Sequence, residues 1–171
     1  MNSADRLSLT LALEQSRSLL RAAVEGIEEP QWHEKVDGAW SVAEIMEHLW
    51  ITEYGVSKVM IPRLLASPAV EGPGPTPDAV LVERTLDRGT KVMSPERVAP
   101  KDNTLARAKA LERFQETREN LIAFVQSTGE DLRVHHGQHP VLGRMDCCQW
   151  ILFIAAHTER HTEQIAQLKT R

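Results

Sequence analysis

The sequence predicts an all-α fold: a four-helix bundle with a long crossover between helices 2 and 3. Three observations carry that expectation. Four long stretches repeat apolar side chains at i, i+3 and i+4, the period of a helix with one buried face. Two of them open on the reciprocal spacing of a capping box. Most of the nine prolines lie between positions 62 and 100 and leave the four stretches uninterrupted.

The first helix is expected from about Asp5 to Ile27, with Leu9, Leu13, Leu20, Val24 and Ile27 as its buried stripe and Pro30 just beyond its end. The second opens at Ser41-Val42-Ala43-Glu44. There the serine hydroxyl and the glutamate carboxylate can each satisfy a free backbone N–H. Ile45, Leu49, Val56 and Val59 follow at helical spacing, and Pro62 marks the expected stop. The third runs from about Thr104 to Gln126 with Leu105, Ala108, Leu111, Leu121, Ile122 and Val125 inward, and Gly129 as its stop. The fourth begins at Asp146, where Gln149 completes another capping-box spacing, and continues to about Leu168.

The crossover is read in pieces. Ala66 to Pro77 is rich in Pro and Gly and should be irregular, Asp78 to Arg88 a short helix, and Ser94 to Pro100 extended or turning. A connection of this length in a compact domain is a lid, a binding loop or a link between distant helix ends. Leu132 to Gly143, which holds His135, His136 and His139, is expected to be loop.

With 171 residues, one domain spanning 1–171 is the natural expectation. The net charge of −4 and the lack of a Lys/Arg cluster argue against a nucleic-acid partner. The longest mostly apolar run, Trp150 to Ala156, is too short to span a bilayer, and the N-terminus lacks a basic start, so a cytoplasmic protein is expected. Cys147 and Cys148 are adjacent, which rules out a stapling disulfide and leaves them as small apolar residues. Trp32, Trp40, Trp50 and Trp150 are read first as core or interface residues, with Trp150 a candidate for the wall of a site.

Histidine carries the chemical signal. His157 and His161 are four residues apart and project from one helical face, amid Trp150, Phe153, Ile154, Ile165 and Leu168. His48 falls between Ile45 and Leu49 on the second helix, so it too should point inward. Three inward imidazoles can hold one divalent cation and leave a position open for water or substrate, as catalytic rather than structural zinc sites do. The alternative is three core histidines satisfied by hydrogen bonds. His135, His136 and His139 form a second, weaker candidate cluster. No general base stands out: Glu44 has a capping role, while Glu47, Glu53 and Glu159 are expected on solvated helix faces. The Gln164 carbonyl could accept the second ring N–H of a ligating histidine, whereas Arg160 could only bind an anion or a surface carboxylate.

Three passages resemble the DinB-like superfamily, the YfiT-like metalloenzymes: Trp40-Ser41 through Glu44 to His48-Leu49, His139-Pro140-Val141-Leu142-Gly143, and His157-x-x-Arg160-His161-x-x-Gln164. Their order and spacing span nearly the whole chain. The resemblance implies a four-helix bundle with a divalent metal, commonly zinc or nickel, on His48, His157 and His161. It also implies a homodimer and, for some relatives, transfer chemistry with a low-molecular-weight thiol such as bacillithiol or mycothiol. The expectation is therefore a metal-dependent enzyme acting on a small molecule, by S-transfer or hydrolysis. The alternative is a non-catalytic helical binding or stress-response module whose metal is structural or absent.

Overall fold

The computed structural model describes residues 1–70, 72, 74–89, 94–101 and 103–170. Four long helices dominate: α1 (Ser3–Val24), α3 (Val42–Tyr54), α6 (Arg107–Ser127) and α7 (Cys147–Lys169). Three shorter ones, α2 (Glu29–Trp32), α4 (Ile61–Leu65) and α5 (Asp78–Leu86), lie in the connections. The capping boxes at Ser41/Glu44 and Asp146/Gln149 form as their spacing predicts, and Asn2/Asp5 adds one at the start of α1.

α1 and α3 each pack on both α6 and α7, so α1 faces α3, and α6 faces α7, across the bundle's diagonals. Two apolar cores fill the interior. One gathers Leu9 and Leu13 of α1, Leu121 and Val125 of α6, and Cys147, Cys148 and Trp150 to Ala155 of α7. The other gathers Leu20 and Val24, Ile45 and Leu49, Ala110 and Phe114, and Ile165. Each long helix passes from one core to the other, which fixes its direction: α1 and α7 run one way, α3 and α6 the other. α3 and α6 are thus parallel neighbours, and such a pair needs a connection that travels the length of the bundle. That requirement explains the long crossover.

Between the cores lies a polar layer to which every long helix contributes: Ser16, Thr52 and Glu53, Thr117 and Arg118, and Thr158 with His161. Arg118 is fully buried and all five of its N–H donors are used. They go to both oxygens of Glu53, the Leu13 carbonyl, Ser16 Oγ and Thr158 Oγ1, all at 2.8–2.9 Å. The expectation that Glu53 lies on a solvated face is therefore wrong: it is 1% exposed, and Arg118 supplies the counter-charge that makes burial tolerable.

Other expectations also shift. The second helix does not stop at Pro62 but passes through it as a π-helical turn, Gly55–Met60, which leads into α4. The Ile61 N–H bonds to the carbonyl of Val56, five residues back, and this wider turn accommodates a proline that lacks an N–H. The extra residue per turn rotates Val59 out of the apolar stripe to 60% exposure. Pro30 sits in the first turn of α2, whose Trp32 is wholly buried. The segment expected as loop holds a hairpin, β1 (His136–His139) paired antiparallel with β2 (Gly143–Asp146). Its turn is closed by His139, whose Nδ1 accepts from the Val141 and Leu142 N–H groups, and by Gly143 at φ 83°. In the third helix Leu105 precedes the helical start and Ala108 faces solvent, while Ala110 and Phe114 take the inward positions.

The crossover carries the expected helix as α5, followed by a 3₁₀ turn at Glu96–Val98. Positions 71 and 73 of its first stretch lie outside the described residues. Arg133 ties α5 to the bundle through Asp78, Asp5 and Asp146. Cys147 and Cys148 are free and buried, and burial pushes both thiols up to about 12, which fits their reading as inert core residues. Among the described residues no helix is long and apolar enough to cross a membrane.

Candidate metal centre

His48 sits two turns into α3 and is 5% exposed; His157 and His161 lie one turn apart on α7. The antiparallel approach of α3 and α7 brings the three rings together. Their centroids are 5.0 Å apart for His48 and His157, 4.9 Å for His48 and His161, and 4.6 Å for the α7 pair. One ring nitrogen from each lies within 4.8 Å of the others, and among the described residues this is the one such group of three. The second candidate cluster does not converge: His135 precedes β1, and His136 and His139 stand at its two ends.

Two of the three outer nitrogens are fixed by acceptors. His48 Nδ1 lies 2.6 Å from the Val98 carbonyl, and His161 Nδ1 lies 2.9 Å from Gln164 Oε1. A carbonyl can only accept, so each Nδ1 carries the proton and each Nε2 presents a lone pair inward. The Gln164 contact follows from its sequence spacing. The Val98 contact has no sequence signal, because it comes from the backbone of the crossover. This also settles where the crossover goes: its 3₁₀ turn sits directly behind His48.

Burial favours the neutral form of all three rings. Desolvation lowers His48, carries His157 well below its ordinary value, and holds His161 at about 3. The neighbouring imidazoles and Arg160 add to the depression of His157. Neutral imidazole is the form that ligates metal, so protons are weak competitors here near pH 7. His48 Nε2 and His157 Nε2 stand 3.1 Å apart. Two nitrogens on one tetrahedral zinc, with bonds of about 2.0–2.1 Å, stand about 3.3 Å apart. Donor type, tautomer and spacing therefore all fit a divalent ion.

Aromatic rings enclose the group. Trp40 lies 4.9 Å from His48 and stacks 6.3 Å from His161. Phe153 lies 5.1 Å from His157 and is backed by His139 and Trp150. Trp150 thus belongs to the wall one ring removed from the histidines. His157 is the most accessible of the three. The Arg160 guanidinium donates to the Asp87 carbonyl, and Arg88 donates to the Arg160 carbonyl and to Gln167, both at 2.9 Å. Together they lash the end of α5 to α7 beside His161. Glu44 completes its capping box and pairs with Lys35, and Glu47 accepts from the Lys101 N–H. Among the described residues no carboxylate bonds to the three imidazoles. Two clefts of about 530 and 540 Å³ lie elsewhere, beside Arg133 and beside α5, and none of the three histidines lines them.

Fold and centre together define a helical bundle with three histidines converging between two antiparallel helices. Residues 12–165 match the sequence profile of the DinB superfamily, and the chain belongs to that family. It is 26% identical over 132 residues to the uncharacterized protein YuaE of Bacillus subtilis strain 168, a match covering 77% of this chain and 78% of that one. Its fold is similar to that of YfiT from Bacillus subtilis, with a TM-score of 0.68 and 18% identity over 100% of this chain and 89% of that one. YfiT is described as a probable metal-dependent hydrolase with an unusual four-helix bundle topology. The diagonal placement of α1 against α3, and of α6 against α7, is how the present chain departs from a simple up-and-down bundle.

Proposed function

We propose that His48, His157 and His161 hold one divalent metal, zinc or nickel, and that the protein is a metal-dependent enzyme acting on a small molecule. The observation that carries this reading is the convergence of three buried imidazoles, two of which, His161 and His48, have their outer N–H groups anchored on α7 and on the crossover. A divalent ion held by these three histidines would supply Lewis acidity, lowering the pKa of a bound water toward about 7 or holding a thiol as its thiolate.

The chain's own residues do the rest. The Val98 carbonyl and Gln164 keep the rings in the ligating tautomer, and such outer contacts also raise ligand basicity. Trp40 and Phe153 exclude water from the flanks. Between the two reactions, transfer of a low-molecular-weight thiol to an electrophilic carbon is the reading we favour. Hydrolysis would have to deliver two protons from water, one to solvent and one to the leaving group. A thiol would release its single proton to solvent on becoming a thiolate, and its sulfur would form the new bond to carbon as the leaving group departs with its electron pair. Hydrolysis is the second reading, supported by the description of YfiT.

The test is elemental analysis of protein purified without affinity tag or chelator, beside His157→Ala and His48→Ala. Near one equivalent of a divalent metal is expected in the parent and loss in both variants, with the helical circular-dichroism spectrum unchanged. No metal, and no uptake of added zinc or nickel, would return the histidines to core residues and favour a non-catalytic binding module.

A further inference from the structure

Among the described residues, the polar layer contains one group without a partner. Ser16, Glu53, Arg118 and Thr158 bond to one another around the Arg118 guanidinium, and Thr117 donates to the Arg113 carbonyl. Thr52 is 8% exposed, and its Oγ1 is buried with no hydrogen-bond partner among the described residues. Its environment alone does not explain this. A helical threonine can always donate to the carbonyl four residues back. Thr85, Thr117, Thr158 and Thr162 all do so, at 2.8–2.9 Å. The Thr52 hydroxyl makes no such bond to the His48 carbonyl. An orphaned buried hydroxyl destabilises a fold, and one that persists calls for an explanation.

Its position supplies one. Thr52 is one helical turn after His48, so both side chains leave the same face of α3. α7 runs antiparallel along α3, where His48 meets His157 and His161, and Glu53, the residue after Thr52, reaches Thr158 through Arg118. One turn is about 6 Å along the helix axis, too far for Thr52 to touch an atom bound where the three Nε2 lone pairs meet. The hydroxyl is within reach of the rest of a molecule held there.

We infer that Thr52 is a substrate-positioning residue of the histidine centre, whose hydroxyl bonds to a polar group two or three bonds from the substrate atom that meets the metal. The inference rests on the metal-dependent reading above and narrows its substrate. The substrate class is a small bifunctional molecule with a thiol at one end and a hydrogen-bonding group a short chain away. A simple alkyl thiol would leave Thr52 unsatisfied.

The experiment uses the full chain loaded with cobalt(II) and two probes of equal length, 2-mercaptoethanol and ethanethiol. Their dissociation constants are read from the sulfur-to-cobalt charge-transfer absorption. The parent protein is expected to prefer 2-mercaptoethanol by about fivefold, the scale of one neutral hydrogen bond. In Thr52→Val that preference falls to about one, and Thr52→Ser retains it. Thr52→Val also raises the thermal midpoint of the metal-free protein, because it removes an unsatisfied buried hydroxyl. Should Thr52→Val fail to fold, Thr52→Ala carries the same affinity comparison. A preference unchanged in the hydroxyl-free variant overturns the inference and leaves the metal reading standing. A lowered midpoint for folded Thr52→Val means the hydroxyl already has a protein partner, which also overturns it. Failure of the parent to bind cobalt, or to show the thiolate band with either probe, overturns the metal and thiol reading and this inference with it.

Discussion

Two buried polar clusters sit one turn apart on α3, and they solve the problem of burial in opposite ways. Around Arg118 every donor has an acceptor, both Glu53 oxygens are engaged, and the charges cancel. Around His48 two of the three outer nitrogens are anchored, while the inner nitrogens converge without a charged partner, His48 Nε2 and His157 Nε2 standing 3.1 Å apart. The first cluster is closed and finished by the chain alone. The second is pre-shaped and left electron-rich, as a binding centre must be. Closed buried networks specify structure; open ones specify a ligand.

The largest effect expected of a single substitution is on stability, at the closed cluster. Glu53→Ala strands the Arg118 guanidinium in the core and should cost about 3–5 kcal/mol, read from the urea midpoint. Metal content of the folded fraction should not change. A cost below 1 kcal/mol would show that water reaches Arg118, and loss of metal with the fold intact would show that the two clusters are one.

The second effect falls on the open cluster and leaves the fold alone. Gln164→Leu removes the acceptor that fixes the His161 tautomer. It should weaken metal affinity by about 10- to 100-fold, measured by competition with a chromogenic chelator. The same substitution should move the unfolding midpoint of the metal-free protein little, since Gln164 is partly exposed. Unchanged metal affinity would place the anchoring of His161 elsewhere.

What the sequence made legible follows the same division. The α1 stripe, the two capping boxes and the inward histidines are local patterns, each set by spacing within one helix, and each is found as expected. The contact from Gln164 to His161 is local too. Features that depend on a distant partner were hidden. Glu53 looks like surface because its spacing from His48 turns it away from α7, and it turns instead toward Arg118 on α6. A clue existed: Arg118 interrupts the run Phe114, Leu121, Ile122 and Val125, and a cation on an apolar stripe requires a buried anion. No such clue existed for Val98, whose role is carried by a carbonyl that every residue has. The π turn before Pro62 was equally silent, since the proline reads as a stop unless the helix widens ahead of it. The diagonal arrangement of the helices is set by how the two cores form and not by any one segment.

The last expected effect is graded with pH, and acid should separate the clusters through it. Burial depresses the folded-state values of His48, His157 and His161, the last to about 3, and that of His139 to about 4. In the unfolded chain these rings titrate near 6.5. Below that pH the unfolded state binds protons that the folded state refuses, so stability is full above about 6.5 and falls as the pH drops toward about 4. Each ring contributes a slope of at most about 1.4 kcal/mol per pH unit. The urea midpoint of the metal-free protein should therefore decline steadily between pH 7 and pH 5. His161→Gln should flatten that decline by removing one titrating ring, while Glu53→Ala should lower the whole curve without changing its slope in this range. A midpoint independent of pH over this interval would mean that the rings are already protonated or solvated when folded. The open cluster would then lose the property that distinguishes it, a set of neutral lone pairs held ready in the core.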